Sequence, residues 1–162
     1  MYRWGHIGAA LFVYGPVGAA LSHTGEVRLA LLGAVVAVAC ATIPDADELL
    51  PIDHRGPTHT VWFVASGSVA VAVAGGLLSS LSSIGQPETI AAVAGVAAAL
   101  SLSSHLLADS ITPMGIQPFY PISSWHHSFD VIPAANPRAN TTMLGAGIVF
   151  ALLCQLVVFG LL

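Results

Sequence analysis

Histidine and aspartate are scarce side chains in an apolar chain, and in this one they gather at the ends of the apolar stretches. His6 stands at the head of the first stretch. Pro44-Asp45-Ala46-Asp47-Glu48 and Asp53-His54-Arg55-Gly56-Pro57-Thr58-His59 separate the second from the third. His105 and Asp109 close the fourth, and Trp125-His126-His127-Ser128-Phe129-Asp130 lies in the connection that follows. Imidazole nitrogen together with carboxylate oxygen binds zinc, manganese or iron, whereas magnesium favours a shell rich in oxygen. The same groups carry protons near neutral pH.

Spacing narrows the candidates. His105 and Asp109 are four residues apart and share one helix face. They sit among Leu100, Leu102, Leu106 and Leu107, where an ionisable group is costly and turns toward a bundle interior or cavity. The plainer alternative is a private His–Asp pair that locks the helix end. Asp45 and Asp47 follow Pro44 at a bend; on extended backbone such a pair points the same way, and around a turn the two can also approach a shared cation. Gly56 and Pro57 make a second turn that presents His59 at the head of the third stretch. Taken alone, a loop of this kind holds solvated polar residues. His6 matches the depth of His59 and Asp109, although a histidine there also serves as an interface anchor.

The candidate metal ligands are therefore His6, Asp45, Asp47, His59, His105 and Asp109. That is more than one tetrahedral ion needs, which implies two ions, or one ion with outer carboxylates that orient its histidines. Asp47 has a second candidate role, as the base that accepts a proton from water. His126 and His127 diverge on extended backbone, so both are not expected on one ion. Either is a candidate proton donor to a leaving group; the alternative is an interfacial aromatic segment. Arg55 suits an anionic substrate, because its guanidinium makes paired contacts to phosphate. It serves equally as a partner for Asp53 or as a topology signal.

These groups need elements to hold them, and composition says which kind. Of 162 residues, 56% are hydrophobic and 7% charged, against about 25% charged in a soluble domain. Four Lys/Arg and eight Asp/Glu cannot cover a water-exposed surface. The expected fold is all-α: a polytopic membrane helix bundle forming one integral domain over 1–162. Its five expected transmembrane spans are 5–21, 28–43, 60–81, 89–109 and 143–162. The first stretch reads as a mature helix rather than a signal peptide, since only Arg3 precedes it and Pro16 interrupts it. Ala, Gly and Ser along the spans favour close helix packing. The net charge of −4 and the lack of a basic run leave nucleic-acid binding without support. Cys40 and Cys154 read as small buried hydrophobes.

Five crossings bring the N-terminus, the 44–59 connection and the 110–141 connection to one side. Arg3, Arg55 and Arg138 fall there and Arg28 alone on the other, so the positive-inside tendency makes the polar side cytoplasmic.

On these residues the chain resembles the YdjM-like family of small membrane-bound metal-dependent hydrolases, also described as LexA-regulated inner-membrane hydrolases. The resemblance covers nearly the whole chain. It rests on His6, Pro44-Asp45-Ala46-Asp47, His54-Arg55-Gly56-Pro57-Thr58-His59, Ser104-His105 with Asp109, and Thr112-Pro113-Met114-Gly115 with Pro118-Phe119. It implies an inner-membrane helical protein with a metal-dependent hydrolase site.

The expected reaction is attack by metal-activated water on a phosphoester of a lipid or lipid-linked substrate at the membrane interface. The cofactor is one or two divalent ions, with zinc or manganese favoured. No His-Glu-x-x-His run, Gly-x-Ser-x-Gly elbow or P-loop is present. Two other classes compete: a metal or proton transporter, and a structural membrane protein with an inert metal or polar site. The sequence leaves the oligomeric state open.

Overall fold

The computed structural model describes residues 1–52 and 54–162. Its framework is five α-helices: α1 (Arg3–His23), α2 (Val27–Cys40), α3 (Val61–Ser82), α4 (Pro87–Ser110) and α5 (Pro137–Val158). Among the described residues there is no strand; the chain forms an isolated antiparallel bridge between Ile116 and His127. All five helices are long and apolar enough to cross a membrane, α2 when counted with the turn that carries it to Leu49. This is the all-α membrane architecture that the composition requires.

Helix starts follow from local chemistry. Thr60 caps α3 by accepting from Phe63 N at 3.2 Å, and Asn136 caps α5 by accepting from Ala139 N at 3.1 Å. Pro87 and Pro137 occupy first-turn positions, where a missing N–H costs nothing. The cap explains why α5 begins before the apolar run that starts at Met143. The polar residues Asn140, Thr141 and Thr142 remain helical, and the Thr141 hydroxyl is satisfied by Pro137 O at 2.9 Å.

Packing places α1 at the centre, against α2, α4 and α5, while α3 lies against α4. The tightest approach is between α1 and α5. A Cβ on Gly8 would collide with the Met143 backbone, and one on Gly147 would collide with Gly8 O. Lipid offers helices no hydrophobic reason to associate, so small residues that admit close van der Waals contact carry this interface.

The interior is unlike that of a soluble protein. Its buried apolar residues are mostly alanines, including Ala10, Ala37, Ala41, Ala97 and Ala98. The largest fully buried side chains instead include His6, His59, His105, Asp47 and Asp109. Large apolar side chains such as Leu31, Val35, Leu77, Leu81 and Val157 point outward, where hydrocarbon rather than water is their solvent.

Asn140 ties the start of α1 to α5. Its Oδ1 accepts from Tyr2 N at 2.9 Å, and its Nδ2 donates to Ala134 O at 2.9 Å and Asn136 O at 2.8 Å. The side chain is buried, so Asn140→Ala leaves the Tyr2 amide unpaired. We expect a loss of about 1–3 kcal/mol, read as a lower thermal midpoint in detergent.

Candidate metal centre

Five helix ends and two short turns meet at one end of the bundle. The C-terminal turn of α4 supplies His105 and Asp109, and the first turns of α1 supply His6. A 3-10 turn over Pro44–Leu49 supplies Asp45 and Asp47, and another over Pro57–His59 supplies His59.

Hydrogen bonds fix the histidine tautomers. His105 Nδ1 lies 2.7 Å from the Ala41 carbonyl and must donate to it, so its Nε2 carries a lone pair. His59 Nδ1 lies 3.0 Å from Thr58 Oγ1, whose own proton goes to Asp47 Oδ2 at 2.6 Å. His59 Nδ1 is therefore the donor, and its Nε2 is also bare. The two bare nitrogens stand 3.1 Å apart. Asp45 Oδ1 lies 3.3 Å from His105 Nε2 and 3.5 Å from His59 Nε2. Asp109 Oδ2 lies 3.5 Å and 3.3 Å from the same two atoms.

Four lone-pair atoms thus converge with no proton assigned among them. With every proton directed elsewhere they repel one another, and either a cation at their centre or a proton on one imidazole relieves that repulsion. Ligands at ~2.1 Å around a tetrahedral ion are roughly 3.4 Å apart, close to the separations found. Asp109 Oδ2 is buried and has no hydrogen-bond partner, the mark of an acceptor reserved for something else. Burial pushes the His59 imidazole toward its neutral form, and the Asp109 and Asp45 carboxylates more than offset it, raising its pKa. A proton taken up by His59 in the cation-free chain therefore supplies part of the missing charge.

His6 extends the cluster. Its ring stacks on His105 with centroids 3.6 Å apart. His6 Nε2 lies 2.8 Å from Met1 O, 3.5 Å from Asp109 Oδ1 and 3.7 Å from Asp45 Oδ2. His6 Nδ1 is buried without a partner. Ligand atoms of His6, Asp45, His105 and Asp109 all lie within 4.8 Å of one another, a group able to hold a metal ion.

Asp47 stands behind this cluster. Residues two apart on a 3-10 turn point about 240° apart, so Asp45 and Asp47 face different ways, unlike a pair on extended backbone. Asp47 Oδ1 accepts from His54 Nδ1 at 2.8 Å, and Oδ2 accepts from Thr58 Oγ1 at 2.6 Å and Arg55 N at 3.1 Å. With His59 Nδ1 only 3.3 Å away, Asp47 orients His59. Asp47→Asn is expected to weaken metal binding about 10–100-fold. Competition against a calibrated chelator measures that loss.

Arg55 joins three elements. Its Nη1 donates to Thr112 Oγ1 and Gly115 O, both at 2.9 Å, and its Nη2 donates to Asp109 Oδ1 at 3.0 Å. Asp109 Oδ1 also accepts from the Met1 amino nitrogen. Of the Arg55 nitrogens, Nε is buried without a partner. Asp53, its alternative partner from the sequence, lies outside the described residues.

Access comes through Asp45, which is 23% exposed while the side chains of His6, His59, His105 and Asp109 are at 0%. It borders a cavity of about 830 Å³, together with Glu48, His54, Arg55 and Thr112. A second cavity of about 300 Å³ is bounded by His54, Arg55, Gly115, Gln117, Tyr120 and His126. Ile116 borders both this cavity and an apolar one of about 420 Å³ lined by Val61, Leu106, Leu107, Trp125, His127 and Phe129. His126 and His127 accordingly diverge. His126 Nε2 donates to Met114 O at 2.8 Å, while the His127 ring stacks on Trp125 at 5.3 Å.

His54, Thr58 and Thr112 are structural partners that residue type alone does not single out. Thr58 looks like a turn residue until its hydroxyl is seen between Asp47 and His59. His54 is four residues upstream of Thr58, and only the folded connection brings both to one carboxylate.

A family model described as YdjM inner membrane protein matches residues 1–161. No curated protein and no solved structure matches the chain.

Proposed function

The chain belongs to the YdjM inner membrane protein family, and from that premise we propose that it is a membrane-embedded, metal-dependent hydrolase acting on a phosphoester of a lipid or lipid-linked molecule. The observation that carries the reading is the convergence of bare His59 Nε2, His105 Nε2, Asp45 Oδ1 and Asp109 Oδ2 beside a cavity. An inert structural site is coordinatively closed, whereas a hydrolytic one keeps an open position; partial exposure of Asp45 supports the second.

A divalent cation bound there, zinc or manganese, would supply Lewis acidity and lower the pKa of water. The chain's own groups do the rest. Asp45, His59, His105 and Asp109 would hold the cation, with His6 beside them. Asp47 keeps His59 in its metal-binding tautomer. Arg55 holds Asp109 and borders both polar cavities, which puts its guanidinium charge beside an anionic head. His126 borders the cavity where the head and leaving group sit, and His127 borders the apolar cavity beyond Ile116, where an acyl chain fits.

The polar end lies on the cytoplasmic side in this reading, because Arg3, Arg55 and Arg138 belong to it and Arg28 to the other end. The core away from the cluster is mostly alanine, with Ala30, Ala37, Ala94 and Ala97, and its Tyr14 and Ser101 hydroxyls donate to the Ala30 and Ala37 carbonyls rather than facing a path. A transporter needs polar groups along a path through the bundle, so this alanine core favours a one-sided reaction.

The test is phosphate release from lipid phosphoesters in mixed micelles by metal-loaded protein. Activity that disappears with chelator and in Asp45→Ala supports the proposal. Metal-loaded, monodisperse protein that leaves phosphoesters intact but cleaves a lipid ester or amide reassigns the bond. Inertness toward all three removes the hydrolase reading.

A further inference from the structure

We propose that the cluster holds two divalent cations, bridged by both Asp45 and Asp109. The inference rests on the metal-hydrolase reading and gives it a definite stoichiometry and ligand partition. Each carboxylate divides its two oxygens between the same two sides. Asp45 turns Oδ1 to His59 and His105, at 3.5 and 3.3 Å, and Oδ2 to His6 at 3.7 Å. Asp109 turns Oδ2 to His59 and His105, at 3.3 and 3.5 Å, and Oδ1 to His6 at 3.5 Å, where that oxygen also accepts from Arg55 Nη2 and the Met1 amino group.

One carboxylate divided in this way is unremarkable; two divided in the same sense build a pair of sites with a shared wall. The first site has two imidazole nitrogens and two oxygens. The second has the His6 imidazole, two oxygens and the nearby Met1 carbonyl. Its independent mark is His6 Nδ1, which is buried without a partner even though Nε2 is satisfied by Met1 O. Moving the ring proton from Nε2 to the unpartnered Nδ1 leaves Nε2 with a bare lone pair facing Asp45 Oδ2, Asp109 Oδ1 and Met1 O.

Paired ions in hydrolytic sites stand roughly 3.5–4 Å apart and stabilise the attacking and the leaving oxygen together. Two dications against two carboxylates, with the Arg55 guanidinium adjacent, leave a net positive site. Such a site selects an anion, and a phosphoester head supplies the balancing charge.

Manganese serves as the probe for wild-type protein and His6→Ala, both checked for helicity and monodispersity. Wild type is expected to hold two manganese ions per chain and to give an exchange-coupled paramagnetic resonance spectrum. His6→Ala is expected to hold one, with the isolated six-line signal of a single manganese. One uncoupled ion per wild-type chain overturns the two-ion inference and leaves the metal-hydrolase reading standing. No bound ion in folded wild type overturns both. Should His6→Ala fail to fold, wild-type stoichiometry and coupling decide the matter alone.

Discussion

Asp109→Asn is expected to bind metal at least ~100-fold more weakly than wild type, a loss beyond the 10–100-fold typical of substituting a group behind the ligands. The amide keeps the size of the carboxylate and can still accept from Arg55. It removes the charge and, in the orientation that satisfies Arg55, replaces the unpartnered Oδ2 by an NH₂ aimed at two bare imidazole nitrogens. Arg55, with its side chain only 8% exposed, also loses its carboxylate partner. Breaking a buried ion pair on one side costs about 3–5 kcal/mol, and the retained hydrogen bond brings the expected cost to the lower end of that range. Elemental analysis reads the first effect and thermal unfolding in detergent the second. Metal should raise the wild-type midpoint, because a ligand that binds only the folded state stabilises it, and should leave that of the variant unmoved. Wild-type metal content in a folded Asp109→Asn protein contradicts the assignment of Oδ2.

Gly8→Leu is the second change with a large expected effect, and it acts through packing alone. Gly8 meets the Met143 backbone, and Gly147 meets Gly8 O across the same crossing. A leucine wedge separates α1 from α5. It strains the Tyr2–Asn140 hydrogen bond and displaces His6, two residues upstream, from its stack on His105. Overpacking typically costs about 1–3 kcal/mol, and a clash with backbone rather than a movable side chain belongs at the top of that range. We expect a lower thermal midpoint, a larger aggregated fraction and reduced metal retention. Gly145→Leu is the control on the neighbouring helix, since a Cβ there meets nothing within 4 Å. Its midpoint should match wild type; an equal loss in both variants means that crowding at the α1–α5 crossing is not the cause.

The parts of this architecture legible in the sequence are those set by local periodicity and solvent. Apolar length and the shortage of charge require membrane helices. His105 and Asp109 share a face because four residues on a helix come back to the same side. Where the backbone departs from regular geometry, the sequence says less. Asp45 and Asp47 point together only on extended backbone, and Pro44 instead starts a 3-10 turn that sends them apart. The start of α5 is obscured by Asn140, Thr141 and Thr142, which look like connection until Asn136 is seen to cap the helix. Arg55 reads as a phosphate clamp, a partner for Asp53 or a topology signal, because Asp109, Thr112 and Gly115, the groups it bonds, lie more than fifty positions downstream. His59 is a candidate ligand on local grounds; its tautomer is not local, since it depends on Thr58 and a carboxylate from another turn.

Zinc K-edge X-ray absorption of zinc-loaded protein shows whether the buried histidine–aspartate cluster binds metal. We expect only nitrogen and oxygen neighbours at about 2.0–2.1 Å, with the multiple-scattering pattern of two or three imidazoles. A sulfur shell near ~2.3 Å, which would place zinc at Cys40 or Cys154, or a spectrum with no imidazole contribution, would contradict it.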